Sequence, residues 1–354
     1  MLCAAFSMLA TAPVYADGEV GGDPVFQADG SVTVPPFRLP ASDFMSDEAK
    51  ARQAARADQP NMAAIDAPRP EIGVLRKMVD AISMPKVKAM QAIYPVTVTE
   101  ETIDGVRVRS FVPAGAKVDP ERPLINLHGG GFMLCWDSCS QIESIPIASL
   151  SGYKVVSIDY PMAPEAQLGD AMASIAKVYR ALLKDYRADR IGIYGCSAGG
   201  ALTASSSAWF ATHDLPQPGA LGVFGSGAVR DRLGDSDYFA AYVDGAMPRP
   251  GQTIPETEIG RRYFADLGAE GEIASPALHP EILAQFPPTM LITGTRAGDL
   301  SAVAFTNSQL LKAGVDTRLI VGEAMGHCYI NDPDLPEARD ANEATVAFFR
   351  EHLE

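Results

Sequence analysis

Cationic side chains are in short supply in this sequence: 29 lysines and arginines stand against 44 aspartates and glutamates, leaving a formal net charge of -15 and a sequence pI near 4.8. Such a surface repels phosphate backbones and anionic lipid, which argues against nucleic acid or a membrane as a partner. Past the first sixteen residues, no stretch approaches the ~20 apolar residues that span a bilayer. Histidine is scarce, at five residues, and neither it nor the five cysteines fall at zinc-binding spacing, so no metal is expected. Internal repeats and low-complexity segments are also missing, which sets repeat architectures aside.

Charge is absent altogether from Met1 to Ala16. Leu2 to Ala12 form a short apolar run, and Val14-Tyr15-Ala16 supplies small residues at cleavage-site positions, so residues 1–16 read as a signal peptide cut before Asp17. The usual basic leader is missing, and the alternative is a plain apolar tail. Export to the periplasm or exterior is the expectation, with a cytoplasmic location if the segment is not a signal.

The composition present is that of an ordinary globular protein, with 47% hydrophobic and 21% charged residues over 354 positions. That length suits one large core domain carrying an insertion. A Gly/Pro-rich arm follows Asp17, then two helical patterns: one capped by Ser46 and running to about Ala57, one with Val74, Leu75, Met78, Val79 and Ile82 at helical spacing before Pro85. Such a stripe more often pads a core than covers a site. From Pro95 the period becomes that of strands, with a hairpin turn at Asp104-Gly105. Short apolar runs then alternate with helices: Leu124 to Leu127, Val155 to Ile158, Ile191 to Tyr194, Leu221 to Phe224, Met290 to Ile292 and Leu319 to Val321. Buried strands alternating with helices imply an α/β fold whose mostly parallel sheet is covered on both faces. The rhythm breaks over residues 228–280, an insertion placed to form part of a lid. The expected division is therefore 17–94 for arm and cap helices, 95–227 and 281–354 for the two parts of the core, and 228–280 for the insertion.

Chemistry concentrates in four places. Gly195-Cys196-Ser197-Ala198-Gly199 lies between an apolar strand and a helix, the setting of a nucleophile elbow, in which the Ala198 amide at the helix start can hold an oxyanion. His128-Gly129-Gly130-Gly131 follows the strand at Leu124, and the amides of Gly129 and Gly130 can face that of Ala198, with Gly131 a further donor. Read alone, three glycines are a flexible turn; the elbow downstream changes their meaning. His327 sits in the loop after the last strand and can serve as base, since imidazole titrates near neutral pH. His213, His279 and His352 fit less well, and His128 more plausibly orders the glycine loop. The acid should lie between Ser197 and His327: Asp299 follows the strand at Met290, with Glu323 its rival. Asp299 could equally cap the next helix. Cys135 and Cys139 are close enough in sequence to pair. Cys196 and Cys328 each adjoin a candidate catalytic residue and are expected to be free, buried thiols.

With His128 to Gly131, Asp159-Tyr160-Pro161-Met162-Ala163-Pro164-Glu165, the elbow and Gly326-His327 together, the chain resembles the bacterial hormone-sensitive-lipase-like branch of the α/β-hydrolase superfamily from about Pro95 to the C-terminus. The resemblance implies an α/β-hydrolase fold with a helical cap. It also implies a serine carboxylesterase acting on small short-to-medium acyl esters without a cofactor, and a homodimer is compatible with it. Three positions depart from the family pattern. Cys196 stands where an acid is common, Pro161 where arginine is common, and Ala297 where the triad aspartate often stands, so that Asp299 must be delivered by a shifted loop. The branch also resembles plant gibberellin receptors, which implies a non-catalytic binder as the competing class, and the same triad would serve amide or lactone hydrolysis. Met133, Leu134, Trp136, Tyr238 and Tyr242 are candidates for lining the pocket.

Overall fold

The computed structural model describes residues 22–58, 70–114, 118–244 and 255–353. The expected signal segment lies outside them, as do residues 245–254 of the insertion. Residues 22–41 belong to a unit of their own, in which β1 (Val25–Phe26) pairs antiparallel with β2 (Val32–Thr33). That small hairpin was not anticipated in the Gly/Pro-rich arm.

The second unit begins at Ser42. Ser46 caps α1 (Asp47–Ala54), its Oγ accepting from the Ala49 amide at 3.0 Å. The next helix, α2 (Ile72–Ile93), does not stop before Pro85 but carries it within. Nor does its apolar stripe pad the core: Val74, Met78 and Ile82 are exposed, and Val87 and Met90 are the buried residues. Polar bonds hold this helix instead. Arg76 donates to the carbonyls of Met133 and Ala163 and pairs with Glu165, while Asp80 accepts from the Ser138 amide and hydroxyl.

β3 (Val96–Ile103) and β4 (Val106–Pro113) form the expected hairpin, with positive φ at both Asp104 and Gly105. There follow β5 (Asp119–Leu127), α3 (Trp136–Ser151), β6 (Tyr153–Ile158), α4 (Leu168–Leu182), β7 (Gly192–Cys196), α5 (Ala198–Thr212) and β8 (Ala220–Phe224). The insertion supplies α6 (Asp235–Val243) and α7 (Pro255–Tyr263), with no strand among its described residues, and the short α8 (Pro280–Leu283) begins at its end. The chain ends with β9 (Thr289–Gly294), α9 (Leu300–Lys312), β10 (Thr317–Gly322) and α10 (Pro336–His352).

Eight strands make one sheet in the order β10-β9-β8-β7-β5-β6-β4-β3, parallel from β10 to β6 and antiparallel at β4 and β3. The two-residue period of the strands sorts side chains to opposite cores. Ile125, Leu127 and Ile193 face the layer of α4, α5 and α9, whereas Leu124, Tyr194 and Cys196 face that of α3 and α10. From the neighbouring pair β5 and β7 the chain winds outward in opposite directions. Loops leaving their carboxyl ends therefore diverge and open a crevice, the usual place for a ligand in an open α/β sheet. The glycine loop and the elbow are those two loops.

Candidate active site

Ser197 occupies the tight turn between β7 and α5 at φ 60° and ψ -122°, a conformation that a residue with a side chain rarely adopts. The turn tolerates it because its flanks are bare: a Cβ on Gly195 or Gly199 would overlap the Leu127 carbonyl. The Ser197 amide donates to the Phe224 carbonyl at 2.8 Å, which fixes the turn to β8.

The loop after β10 brings His327 to this turn, its Nε2 lying 2.9 Å from Ser197 Oγ. On the other side of the ring, Nδ1 lies 2.6 Å from Asp299 Oδ1, so Nδ1–H donates to the carboxylate and Nε2 accepts from the serine hydroxyl. Asp299 Oδ2 accepts from Thr293 Oγ1 at 2.6 Å, and the aspartate makes no side-chain cap to α9. Of the two candidate acids, Asp299 is the one brought to His327; Glu323 is exposed. Burial works to lower the His327 pKa, but the hydrogen bond and charge of Asp299 outweigh it, and the net shift is upward from 6.5. Burial likewise works to raise the Asp299 pKa, yet the hydrogen bond and charge of His327 and the Thr293 hydroxyl bring it below 3.8.

Two loops hold this pair. The Thr295 hydroxyl accepts from the Ala324 amide, and the Arg296 amide donates to the Met325 carbonyl, joining the ends of β9 and β10. From the insertion, Ser236 of α6 donates to the Gly298 carbonyl at 2.6 Å and accepts from the Ser301 amide at 2.9 Å. The two residues beyond Ala297 that deliver Asp299 are thus anchored on both sides.

The expectation of free thiols at Cys196 and Cys328 is overturned: they form a disulfide, as do Cys135 and Cys139. The first bond joins the residue before Ser197 to the residue after His327. The approach of the two loops that the serine–histidine contact requires also brings these neighbours together. Gly225, at φ 55°, makes room beneath, where a Cβ would stand 2.8 Å from Cys328 Sγ and 3.0 Å from Cys196 Sγ.

The glycine loop departs from expectation at one donor. The Gly129 amide gives its hydrogen to Glu143 Oε1 at 2.8 Å and is not available to an oxyanion. The amides of Gly130, Gly131 and Ala198 donate to no acceptor among the described residues. His128 is fully buried, with its ring stacked on Tyr160 at 4.5 Å and its Nδ1–H given to the Gly129 carbonyl. Burial lowers its pKa to about 4, so it is a neutral brace for the loop. Sequence reading missed Glu143. Its signal is a lone acid in the otherwise uncharged, buried run Ile142 to Ala148 of α3.

Among the pocket candidates, Met133 and Trp136 are buried, Trp136 under the guanidinium of Arg109 at 4.8 Å, and Tyr238 and Tyr242 are exposed. A cavity of about 250 Å³ opens beside His327 instead, walled by Met45, Ala49 of α1, Val243 of α6, Met325, Tyr329 and Leu335. Helices from both the N-terminal segment and the insertion therefore border this cavity on the histidine side of the site.

A serine turn, a histidine loop and an acid loop at the carboxyl ends of β7, β10 and β9, on a sheet of this order, define the α/β-hydrolase class. Residues 124–331 match the α/β-hydrolase fold family. The crystal structure of esterase E25 is similar at 30% identity and a TM-score of 0.78, over 92% of this chain and 99% of that one. An esterase from the bacterial hormone-sensitive lipase family superposes with a TM-score of 0.73 at 22% identity, over 87% and 99% of the two chains. A hyperthermophilic esterase from the archaeon Pyrobaculum calidifontis does so at 0.73 and 21%, over 87% and 98%. The chain belongs to the α/β-hydrolase fold family and is an esterase-like member of it, in line with the resemblance read from its motifs.

Proposed function

We propose that the protein is a serine carboxylesterase that hydrolyses small, short-to-medium acyl esters through an acyl-enzyme. The observation that carries this reading is the unbroken chain Ser197 Oγ, His327 Nε2, His327 Nδ1, Asp299 Oδ1, with links of 2.9 and 2.6 Å. In the first half-reaction Ser197 Oγ attacks the ester carbonyl carbon while His327 Nε2 takes the hydroxyl proton. The tetrahedral oxyanion is held by the amides of Gly130 and Ala198, with Gly131 beside them. Collapse of this intermediate breaks the bond to the alkoxy group, which leaves as the alcohol with the proton from His327. Water then attacks the acyl carbon, giving its proton to His327, and the acid departs as Ser197 regains its hydrogen. Asp299 keeps the imidazole in the required tautomer and stabilises its charged form. Two disulfides among the described residues support a protein exported to an oxidising compartment.

Ser197→Ala is the direct test. It should abolish hydrolysis of a chromogenic short-chain ester and end labelling by a fluorophosphonate probe, and activity that survives the substitution would sink the assignment. A non-catalytic binder predicts no labelling of the unaltered protein at all.

A further inference from the structure

We propose that Glu143 is a positioning residue for this reaction: its carboxylate, held inside the fold by α3, ties the glycine loop after β5 to the end of β7 and so sets the oxyanion donors relative to Ser197. The inference rests on the esterase reading above. Its basis is where the strand ladder stops. β5 and β7 pair only as far as Asn126 opposite Tyr194, and beyond that point the two chains part to form the site. The Glu143 carboxylate fills this gap. Oε1 accepts from the Gly129 amide at 2.8 Å, and Oε2 accepts from the Cys196 amide at 3.2 Å and from Asn126 Nδ2 at 3.0 Å. Asn126 Oδ1 in turn accepts from Ser157 Oγ of β6 at 2.7 Å, so one network runs across β6, β5, α3 and β7.

The two amides it grips are those of the residue before Gly130 and the residue before Ser197. Gly129 passes so close to the nucleophile that a Cβ there would stand 3.5 Å from Ser197 Cβ and 3.1 Å from Glu143 Oε1. Movement of the carboxylate would therefore shift donor and nucleophile relative to each other. A purely structural role is a poor account of the residue. Glu143 is 4% exposed, and no cation pairs with it among the described residues, so burying its charge is costly where an apolar side chain would pack at no such penalty. Three donors converging on two oxygens favour the ionised form. Burial pushes the group up to about 7, against the pull of those donors and of the nearby His327. Cys196, the residue before Ser197, is itself committed to a disulfide, and the carboxylate that holds its amide comes from α3.

The test compares the unaltered protein and Glu143→Gln on one chromogenic short-chain ester, with kcat expressed per site titrated to completion by a fluorophosphonate and Ser197→Ala as the unlabelled blank. Glutamine keeps the volume but turns a donor toward the Cys196 and Asn126 donors. Glu143→Gln should lower kcat per site by about 10-fold or more with KM changed less than about two-fold, because the interaction disturbed acts on the developing oxyanion. Affinity for an aryl trifluoromethyl ketone, whose adduct places an oxyanion in the same site, should fall in parallel. Unchanged kcat per site, even with fewer titratable sites, would mean a merely structural role and overturn the proposal, as would a loss confined to KM. If Glu143→Gln does not fold, Glu143→Asp, which sets the charge back by one methylene, is measured identically; a folded aspartate variant with unaltered kcat and inhibitor affinity overturns it equally. Absence of ester hydrolysis in the unaltered protein would instead refute the esterase reading.

Discussion

Asp299 and His327 act on one another through a single hydrogen bond of 2.6 Å, and their pH behaviour follows from it. In the proposed mechanism the base works only as neutral imidazole. With its pKa raised above 6.5, kcat/KM should fall as pH drops through a limb centred above that value. The same shifts act on stability. The raised histidine contributes stability that is fully present below 6.5 and lost as pH rises through its folded-state pKa, whereas the depressed aspartate contributes above 3.8 and loses it as pH falls through its own. Asp299→Asn removes the charge and lets the ring take the wrong tautomer. It should lower kcat by about 10³ to 10⁴-fold and move the acidic limb downward, while Glu323→Gln stays within about three-fold. The pH–rate profiles of the two variants decide the matter, and a crippled Glu323→Gln beside an active Asp299→Asn would reverse the assignment.

At the scale of elements, the site is where four strand ends, those of β5, β7, β9 and β10, and one inserted helix meet. α6 reaches it through Ser236, and β7 is joined to the loop after β10 by the Cys196–Cys328 bond across 132 positions. Closing so long a loop constrains the unfolded chain far more than the bond between Cys135 and Cys139, four positions apart. A Cys196→Ala, Cys328→Ala double variant should lose about 2–4 kcal/mol in urea melts without reductant. The Cys135→Ala, Cys139→Ala variant should lose less, and equal midpoints for the two would contradict this account.

Over the whole molecule, apolar burial lies between the sheet and the helices packed on its two faces, whereas α2 is held by polar ties. Ile145 of α3 is fully buried against the sheet, and its replacement by alanine should cost about 2–5 kcal/mol. Ile82 of α2, 76% exposed, should change stability by no more than about 0.5 kcal/mol on the same substitution, as read from denaturant midpoints. Similar losses at both positions would show that α2 buries that stripe in solution. The sequence placed Ile82 in an apolar face of the kind that usually packs inward. It could not reveal that Arg76 and Asp80, on the same helix, make the contacts that decide which way the helix turns.

The strand and helix periods, the bare glycines about Ser197, the three glycines after β5 and the histidine after the last strand are local signals, and each was legible because neighbouring residues alone constrain the backbone there. From these the α/β sheet, the candidate nucleophile and the candidate base could be read, together with the loop able to face them. The remaining decisions belong to pairs far apart in the chain: Asp299 with His327 across 28 positions, Glu143 with Cys196 across 53, and Cys196 with Cys328 across 132. Which acid reaches the imidazole, which glycine amide is already spoken for and which thiols meet depend on how loops from separate strands pack at one edge of the sheet. No local period records that packing, so only the tertiary structure settles it.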